Sequence, residues 1–170
     1  MKNISNISFM GKRVLVRVDF NVPLDSQYNI TDDSRIRAAL ICIKTIISSG
    51  GSAVIMSHLG RPRDGYEIGC SLKHLVSRLS DLLKTPVSFC KSCIGEDAFK
   101  KSMGLKQGEV LLLENLRFHA GEKLGDISFA RELSTLGDAY VNNAFGTAHR
   151  KHASTTVSYT HLTLPTIMPV

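Results

Sequence analysis

Short apolar runs alternate along the chain with longer segments in which apolar residues recur every three or four positions. The runs are rich in Val, Ile and Leu, which is typical of buried strands. Strands are therefore predicted at 13–18, 53–56, 87–89, 109–113 and 139–141. The longer segments predict helices at 34–47, 72–83, 96–103 and 128–136. This alternation, with short connections, predicts an α/β fold: a Rossmann-like three-layer domain with a mainly parallel sheet flanked by helices.

Length and composition indicate one domain. The chain has 170 residues, 43% of them hydrophobic, so it can bury a sizeable core. No low-complexity linker divides it, and residues 1–156 are expected to form the domain. The N-terminal segment lacks the apolar core of a signal peptide, and no apolar run is long enough to span a membrane. Four cysteines without regular spacing favour a reduced, cytoplasmic setting.

The formal net charge of +6 predicts an anionic partner, and the classes to weigh are nucleic acid, a membrane surface and a small phosphorylated substrate. Nucleic-acid binding is the main rival, but it needs basic residues clustered on one helix or interleaved with aromatic residues. The nearest approaches are Lys100-Lys101 and Arg61-Pro-Arg63. We therefore expect neither nucleic acid nor a membrane as the partner. A non-catalytic anion-binding α/β module is the third alternative.

Polar residues follow the predicted strands, where open parallel sheets bind their ligands. The segments after four of these strands are 19–21, 57–61, 114–119 and 142–150. Their arginines, with one at the start of the first helix, are Arg35, Arg61, Arg117 and Arg150. A guanidinium fork pairs bidentately with phosphate and with carboxylate, so several forks at one edge predict a site for a small molecule that carries both groups.

Other chemistries lack their sequence signatures. Neither GxxxxGKS/T nor GxGxxG occurs, so no nucleotide-phosphate loop is predicted in this chain. Cys90-Lys-Ser-Cys93 is a CxxC, but a zinc ribbon needs a second pair. The cysteines are therefore expected to be structural or free thiols, and no metal site is predicted.

Four segments carry a resemblance to a known family, in the family's order. They read RVDFNVP at 17–23, HLGRP at 58–62, LENLRF at 113–118 and AFGTAHR at 144–150. On these motifs the chain resembles the N-terminal, substrate-binding domain of phosphoglycerate kinase over roughly residues 7 to 156. The resemblance implies a monomeric, cytoplasmic glycolytic kinase that transfers a phosphoryl group between 1,3-bisphosphoglycerate and ADP, giving 3-phosphoglycerate and ATP. It also implies that Mg-ATP or Mg-ADP binds to a C-terminal domain that this chain lacks.

The same resemblance implies roles for individual residues. The substrate-binding positions fall on Asp19, Phe20, Asn21, Arg35, His58, Leu59, Gly60, Arg61, Arg117 and Arg150. Asp19 and Asn21 are expected to bind the hydroxyl side of the glycerate. The residues expected around its phosphate are His58, Arg61, Arg117 and Arg150. Arg35 is the expected catalytic residue, because it would neutralise charge on the group in transfer, and no general base is expected.

Three features depart from the family pattern. The nucleotide-binding half is missing, so the fragment is expected to be inactive alone. Residues 157–170 contain no Asp, Glu, Lys or Arg and do not resemble the family. They predict an atypical, poorly packed tail produced by truncation or a frame shift, the alternative being a genuine lineage-specific terminus. Asn143 stands where the family usually has aspartate, so one negative charge is lost.

Overall fold

A parallel sheet of six strands runs through the part of the chain that the computed structural model describes, which is residues 8–144 and 152–156 with the backbone of 166–167. The strands are β1 (Arg13–Val18), β2 (Ser52–Met56), β3 (Val87–Cys90), β4 (Val110–Leu113), β5 (Ala139–Asn143) and β6 (Thr166–Ile167). Their order across the sheet is β3-β4-β2-β1-β5-β6. The predicted α/β fold with a parallel sheet is thus confirmed.

Helices cover both faces of this sheet. They are α1 (Ser34–Ser48), α2 (Val76–Leu83), α3 (Gly95–Met103), α4 (Ala120–Leu124), α5 (Ile127–Ser134) and α6 (Ala153–Thr156). Short 3-10 helices occupy Ile68–Cys70, Leu72–Leu75 and Leu116–Phe118. The four predicted helices are present, although the second begins as a 3-10 turn before α2. Among the described residues, none of the helices has the length and apolarity that crossing a membrane requires.

The sequence pattern did not predict α4, α6 or β6, because elements of one turn or two residues show no apolar period. β6 lies in the tail that was expected to pack poorly. Its two residues pair with β5, with Thr166 opposite Tyr140 and Ile167 opposite Val141. This edge pairing adds a sixth strand to the five that were predicted.

The core has two layers, because neighbouring residues of a strand point to opposite faces of the sheet. Val14, Val16 and Val18 of β1 belong to the layer that also contains the buried residues of α1 and α2. Leu15 belongs to the opposite layer, with those of α3 and α5. Strands buried on both faces must be apolar throughout, and this is why the apolar runs located them.

The start of α1 is tied to α2 by an ion pair. Asp33 occupies the N-cap position, but its carboxylate does not cap the helix. It accepts instead from Nε of Arg37 at 2.8 Å and from Nη2 of Arg78 at 2.6 Å. This arrangement anchors the turn of α1 that carries Arg35.

Candidate functional site

Three strand ends meet at one edge of the sheet. β2 pairs with β1 on one side and with β4 on the other, so the segments after these strands lie side by side. Ser57 joins all three segments. Its hydroxyl accepts from the backbone N of Phe20 at 2.9 Å and donates to the Val18 carbonyl at 2.9 Å. Its carbonyl accepts from the backbone N of Leu116 at 3.1 Å.

A chain of hydrogen bonds connects five of the predicted site residues across this edge. Nη1 of Arg35 donates to Oδ2 of Asp19 at 2.6 Å, and Oδ1 of Asp19 accepts from the backbone N of Asn21 at 3.3 Å. Oδ1 of Asn21 accepts from the backbone N of Gly60 at 2.8 Å. The Gly60 carbonyl then accepts from Nη1 of Arg117 at 2.7 Å. We call these five residues the edge site.

The loop after β2 is held by side chains from other segments. Gly60 has a φ of +63°, in the left-handed region that favours glycine. Nδ2 of the buried Asn115 donates to the carbonyls of Leu59 and Cys70, at 2.7 Å in each case. The loop backbone is therefore fixed on both sides of Gly60, which places Arg61 next to the edge site.

Glu114 is a buried carboxylate that the sequence placed only as a residue following a strand. Its Oε2 accepts from Oγ of Ser71 at 2.7 Å. Its Oε1 accepts from the backbone N of Leu72 at 2.9 Å and of Asn115 at 2.7 Å. These three donors offset the cost of burying the charge. The signal that could have identified its structural role is a glutamate directly after an entirely apolar strand.

The predicted residues differ in how far they reach solvent. Arg61 is exposed, the Arg35 side chain is 52% exposed and Arg117 is partly buried. These arginines can therefore contact a ligand with their side chains. Phe20 and Leu59 are buried in the core, so a ligand would reach them only through their backbone.

Two further predictions concern the end of β5. Arg150 was predicted to join the arginines of the site, but it lies outside the described residues, as does the rest of 145–151. Asn143 is the last residue of β5 and is in register with Val18 of β1. The departure from aspartate therefore lies at the same edge of the sheet as the other site residues.

Arg17 is the main residue near the site that sequence reasoning did not single out. Its side chain is 0% exposed, and its Nε donates to Oγ of Ser154 at 3.0 Å. Its Nη1 donates to the Val18 carbonyl, and its Nη2 lies 3.2 Å from Nδ1 of His58. Burial lowers the pKa of Arg17, and the negative charge of Glu122 opposes that shift. The signal in the sequence was an arginine inside an otherwise apolar strand.

A separate cleft of about 630 Å³ lies between the turn at 28–33 and α2. Its lining from α2 and the preceding turn is His74, Ser77, Arg78 and Asp81. None of the described site residues lines it. Its lining contains three aspartates and one arginine, and that arginine is paired with Asp33, so the cleft suits an anionic ligand less well than the strand ends do. We therefore place the candidate site at the strand ends.

The CxxC pair is buried and unlinked. All four cysteines are free thiols, and Sγ of Cys90 donates to Oδ2 of Asp97 at 3.3 Å. Burial raises the pKa of the Cys93 thiol, and it raises that of Cys42 to about 12. Within the part of the chain that the structure describes, no three His, Cys, Asp or Glu side chains are grouped to hold a metal ion.

Comparison with known sequences agrees with the motifs. The family model for phosphoglycerate kinase matches residues 4–167, beyond residue 156, where the motifs had placed the end of the resemblance. The phosphoglycerate kinases of Chlorobium phaeobacteroides and Chlorobium chlorochromatii are 54% and 55% identical to the chain over 154 residues. These alignments cover 91% of this chain and 39% of each relative. The chain therefore spans about two-fifths of the length of the curated relatives it matches.

Solved structures agree as well. The phosphoglycerate kinase from Coxiella burnetii superposes with a TM-score of 0.87 at 35% identity, covering 99% of this chain and 41% of that one. The enzyme from Pyrococcus horikoshii OT3 gives a TM-score of 0.88 at 34% identity and covers 99% and 42%. The fold is thus shared with these proteins over nearly the whole chain.

Proposed function

The chain belongs to the phosphoglycerate kinase family, and we propose that its edge site binds 3-phosphoglycerate or 1,3-bisphosphoglycerate. The observation that carries this proposal is the hydrogen-bond chain from Arg35 to Arg117, which gathers guanidinium groups at the carboxyl edge of a parallel sheet. Open α/β sheets bind ligands at that edge. A three-carbon acid with a phosphate and a carboxylate suits such a site, because both anionic groups accept paired N–H donors.

In the whole protein, the proposed reaction is reversible phosphoryl transfer between 1,3-bisphosphoglycerate and ADP, which gives 3-phosphoglycerate and ATP in glycolysis. The phosphoryl acceptor in the reverse direction is a carboxyl group. Because the chain spans about two-fifths of its relatives, Mg-ATP or Mg-ADP would bind outside this chain, in the nucleotide-binding half. The proposed setting is the cytoplasm, and the proposed state is a monomer.

Asp19 would position Arg35 before the substrate arrives. Their side chains are 27% and 52% exposed and 2.6 Å apart, so the guanidinium is held at the strand end but stays accessible. A guanidinium has several N–H donors, and its contact with Asp19 leaves others for the substrate carboxyl oxygens. Arg35 would then neutralise the charge that spreads over the transferring group. No general base is needed, because the attacking carboxylate is already ionised at neutral pH.

Asn21 would contribute to binding the glycerate part of the substrate together with Asp19. Oδ1 of Asn21 is already used by the backbone N of Gly60, so its Nδ2 is the group that would donate to the ligand. The contact also links ligand binding to the loop conformation, since the same side chain would touch both. Asp19, as an acceptor, suits the glycerate hydroxyl.

The substrate phosphate would be surrounded by basic residues from three segments. We call them the phosphate site: His58, Arg61, Arg117 and Arg150. Arg117 donates to the Gly60 carbonyl, which holds its guanidinium beside the loop that carries Arg61. A neutral carbonyl is a weaker partner than a phosphate, so Arg117 can share or exchange this bond when the ligand binds.

Arg61→Lys tests the proposal, because it keeps the charge and removes the planar fork. The 15N-labelled chain is titrated with 3-phosphoglycerate, and the amide shifts give the dissociation constant. We expect about tenfold weaker binding, the equivalent of one charge-assisted hydrogen bond. Arg63→Lys is the matched control, since Arg63 is also exposed but lies outside the phosphate site, and its affinity should equal that of the wild type.

Two results would count against the proposal. If Arg61→Lys binds as tightly as the wild type, or if both lysine variants lose affinity equally, the fork of Arg61 has no specific role. If saturating 3-phosphoglycerate shifts no amide near Arg35, Asn21 or Gly60, the ligand does not bind at the edge site.

We also propose that residues 1–156 act as the substrate-binding domain and that this chain transfers no phosphoryl group alone. The nucleotide that donates or accepts the phosphoryl group would bind in the other half of the whole protein, and this chain spans about two-fifths of the length of its relatives. Purified chain is assayed with 3-phosphoglycerate, Mg-ATP and a coupled readout of ADP formation. ATP-dependent turnover that persists through purification would refute this part of the proposal.

A further inference from the structure

Arg17 is a charged side chain enclosed by protein, being 0% exposed. By the alternation of β1, it points to the same face of the sheet as Leu15. A guanidinium stays protonated even when buried, so each of its N–H groups requires an acceptor. The acceptors are the Ser154 hydroxyl, the Val18 carbonyl and Nδ1 of His58.

The contact with His58 decides where that imidazole carries its proton. Nη2 of Arg17 lies 3.2 Å from Nδ1 of His58, and a guanidinium nitrogen can only donate. Nδ1 must therefore accept and carry no proton, which leaves Nε2 as the protonated nitrogen of a neutral ring. Adding a proton to Nδ1 would direct an N–H at another N–H and bring a second positive charge next to the first.

Arg17 is itself held by a buried carboxylate, through a serine. The Ser154 hydroxyl accepts from Nε of Arg17 at 3.0 Å and donates to Oε1 of Glu122 at 2.6 Å. Oε2 of Glu122 accepts from the backbone N of Ser154 at 2.9 Å, and the Tyr140 hydroxyl donates to the Ser154 carbonyl at 2.9 Å. Nδ1 of His152 also lies 3.8 Å from Glu122. The serine therefore connects two buried charges of opposite sign, which fixes the guanidinium plane.

We propose that Arg17 is a positioning residue for His58, which it fixes as the neutral tautomer that is protonated at Nε2. His58 then carries its single N–H at Nε2 in a set orientation and adds no positive charge, so the charge that attracts an anion comes from arginines such as Arg61 and Arg117. The orientation depends on Ser154 and Glu122, which lie far along the chain from β1. This inference rests on the proposed function only in assigning a phosphate as the ligand.

Long-range 1H–15N spectra of the histidine-labelled chain report the tautomer of His58 without any ligand. The wild type is expected to show a protonated Nε2 and an unprotonated Nδ1. Arg17→Lys keeps the charge but cannot reach Ser154 and His58 together, and Ser154→Ala removes the hydroxyl that holds Arg17. Both variants should raise the fraction protonated at Nδ1. Both should weaken 3-phosphoglycerate binding about two- to tenfold, the range expected for one hydrogen bond.

Ser134→Ala is the matched control, because Ser134 is buried and its hydroxyl donates to the Arg131 carbonyl, outside this network. It should leave both the tautomer and the affinity unchanged. Circular dichroism and amide spectra establish which variants fold. If Arg17→Lys or Ser154→Ala folds and keeps the wild-type tautomer, the proposal is overturned.

The wild-type spectrum provides a test that needs no variant. Predominant protonation of His58 at Nδ1 would overturn the proposal even if every variant failed to fold. If the wild type does not bind 3-phosphoglycerate but the tautomer responds to Arg17→Lys as expected, the proposed function is refuted and the action of Arg17 on His58 stands. If the wild type binds 3-phosphoglycerate but the tautomer of His58 does not respond to Arg17→Lys, the proposed function stands and the action of Arg17 on His58 is refuted.

Discussion

Gly60 combines a left-handed backbone with a close neighbour, and its substitution gives a sharp test of how the edge site is built. Its φ is +63°, and a Cβ placed there would lie 2.7 Å from Sγ of Cys70. Non-bonded heavy atoms prefer separations of about 3.5 to 4.0 Å, so the sulfur or the loop would have to move. Gly60→Ala therefore adds a backbone penalty and a steric penalty.

The two penalties can be sized separately. Placing an L-residue in the left-handed region costs about 1 to 2 kcal/mol. Alanine recovers about 0.4 to 1 kcal/mol by restricting the unfolded chain. Forcing a methyl group into filled space costs about 1 to 3 kcal/mol. We therefore expect Gly60→Ala to lower the free energy of unfolding by about 2 to 4 kcal/mol.

Matched variants isolate each term. Gly65 has a φ of +64° and nothing within 4 Å of a Cβ built there, so Gly65→Ala carries the backbone penalty alone, about 1 kcal/mol. Cys70→Ala removes the sulfur and leaves the Cβ of residue 70 at 3.8 Å from the new methyl group, an ordinary contact. In a Cys70→Ala background, Gly60→Ala should therefore cost only as much as Gly65→Ala does in the wild type.

Urea unfolding followed by far-UV circular dichroism measures all of these variants without needing tryptophan, which the chain lacks. The double-mutant cycle should give a coupling energy of about 1 to 3 kcal/mol between positions 60 and 70. Equal losses in Gly60→Ala and Gly65→Ala would refute the steric reasoning. So would a loss in Gly60→Ala that persists after Cys70 is truncated.

Three other outcomes are expected from buried or paired groups. Glu114→Ala leaves three donors without their acceptor, so urea unfolding should show a loss of about 3 to 5 kcal/mol, and a near-neutral result would contradict the account. Hydrogen bonds from Arg13 hold the pKa of Asp138 below its usual value, so this carboxylate stabilises the fold above about pH 4 and its contribution is lost as the pH falls through the folded-state pKa. Asp138→Asn should remove that part of the acid sensitivity in pH-dependent unfolding curves, and identical curves would argue against it. Timed alkylation with mass spectrometry should show Cys70 reacting before Cys42, whose pKa burial raises to about 12, and the reverse order would rule out burial as the controlling factor.

The pattern of apolar residues located those strands and helices whose buried positions recur at the spacing of a strand or a helix. β4, Val110–Leu113, is buried at all four positions, and its apolar run marked it as a strand. α4, Ala120–Leu124, was not predicted, because five residues barely exceed one helical turn and show no apolar period. It contains Glu122, whose role becomes visible only through its bonds to Ser154.

For the candidate site too, the sequence indicates where the residues lie, and the structure adds which of them are in contact. The positions of Asp19, Arg35, Gly60 and Arg117 after strands or at a helix start are readable along the chain, because parallel strands end at a common edge. The sequence alone does not reveal which of these side chains touch. Arg35 pairs with Asp19, whereas Arg117 donates to a backbone carbonyl of the loop after β2, and these choices depend on strand order.

The sequence by itself thus determined the fold class, five of the strands and the segments proposed for the site, because apolar periodicity and turn residues are local properties. Only the tertiary structure decided the strand order, the buried carboxylate at Glu114 and the network around Arg17. Arg17 and Ser154 are 137 positions apart, and their hydrogen bond exists only because the fold brings them together. Burial and pairing of polar groups depend on the path of the whole chain, and no local window of sequence contains that path.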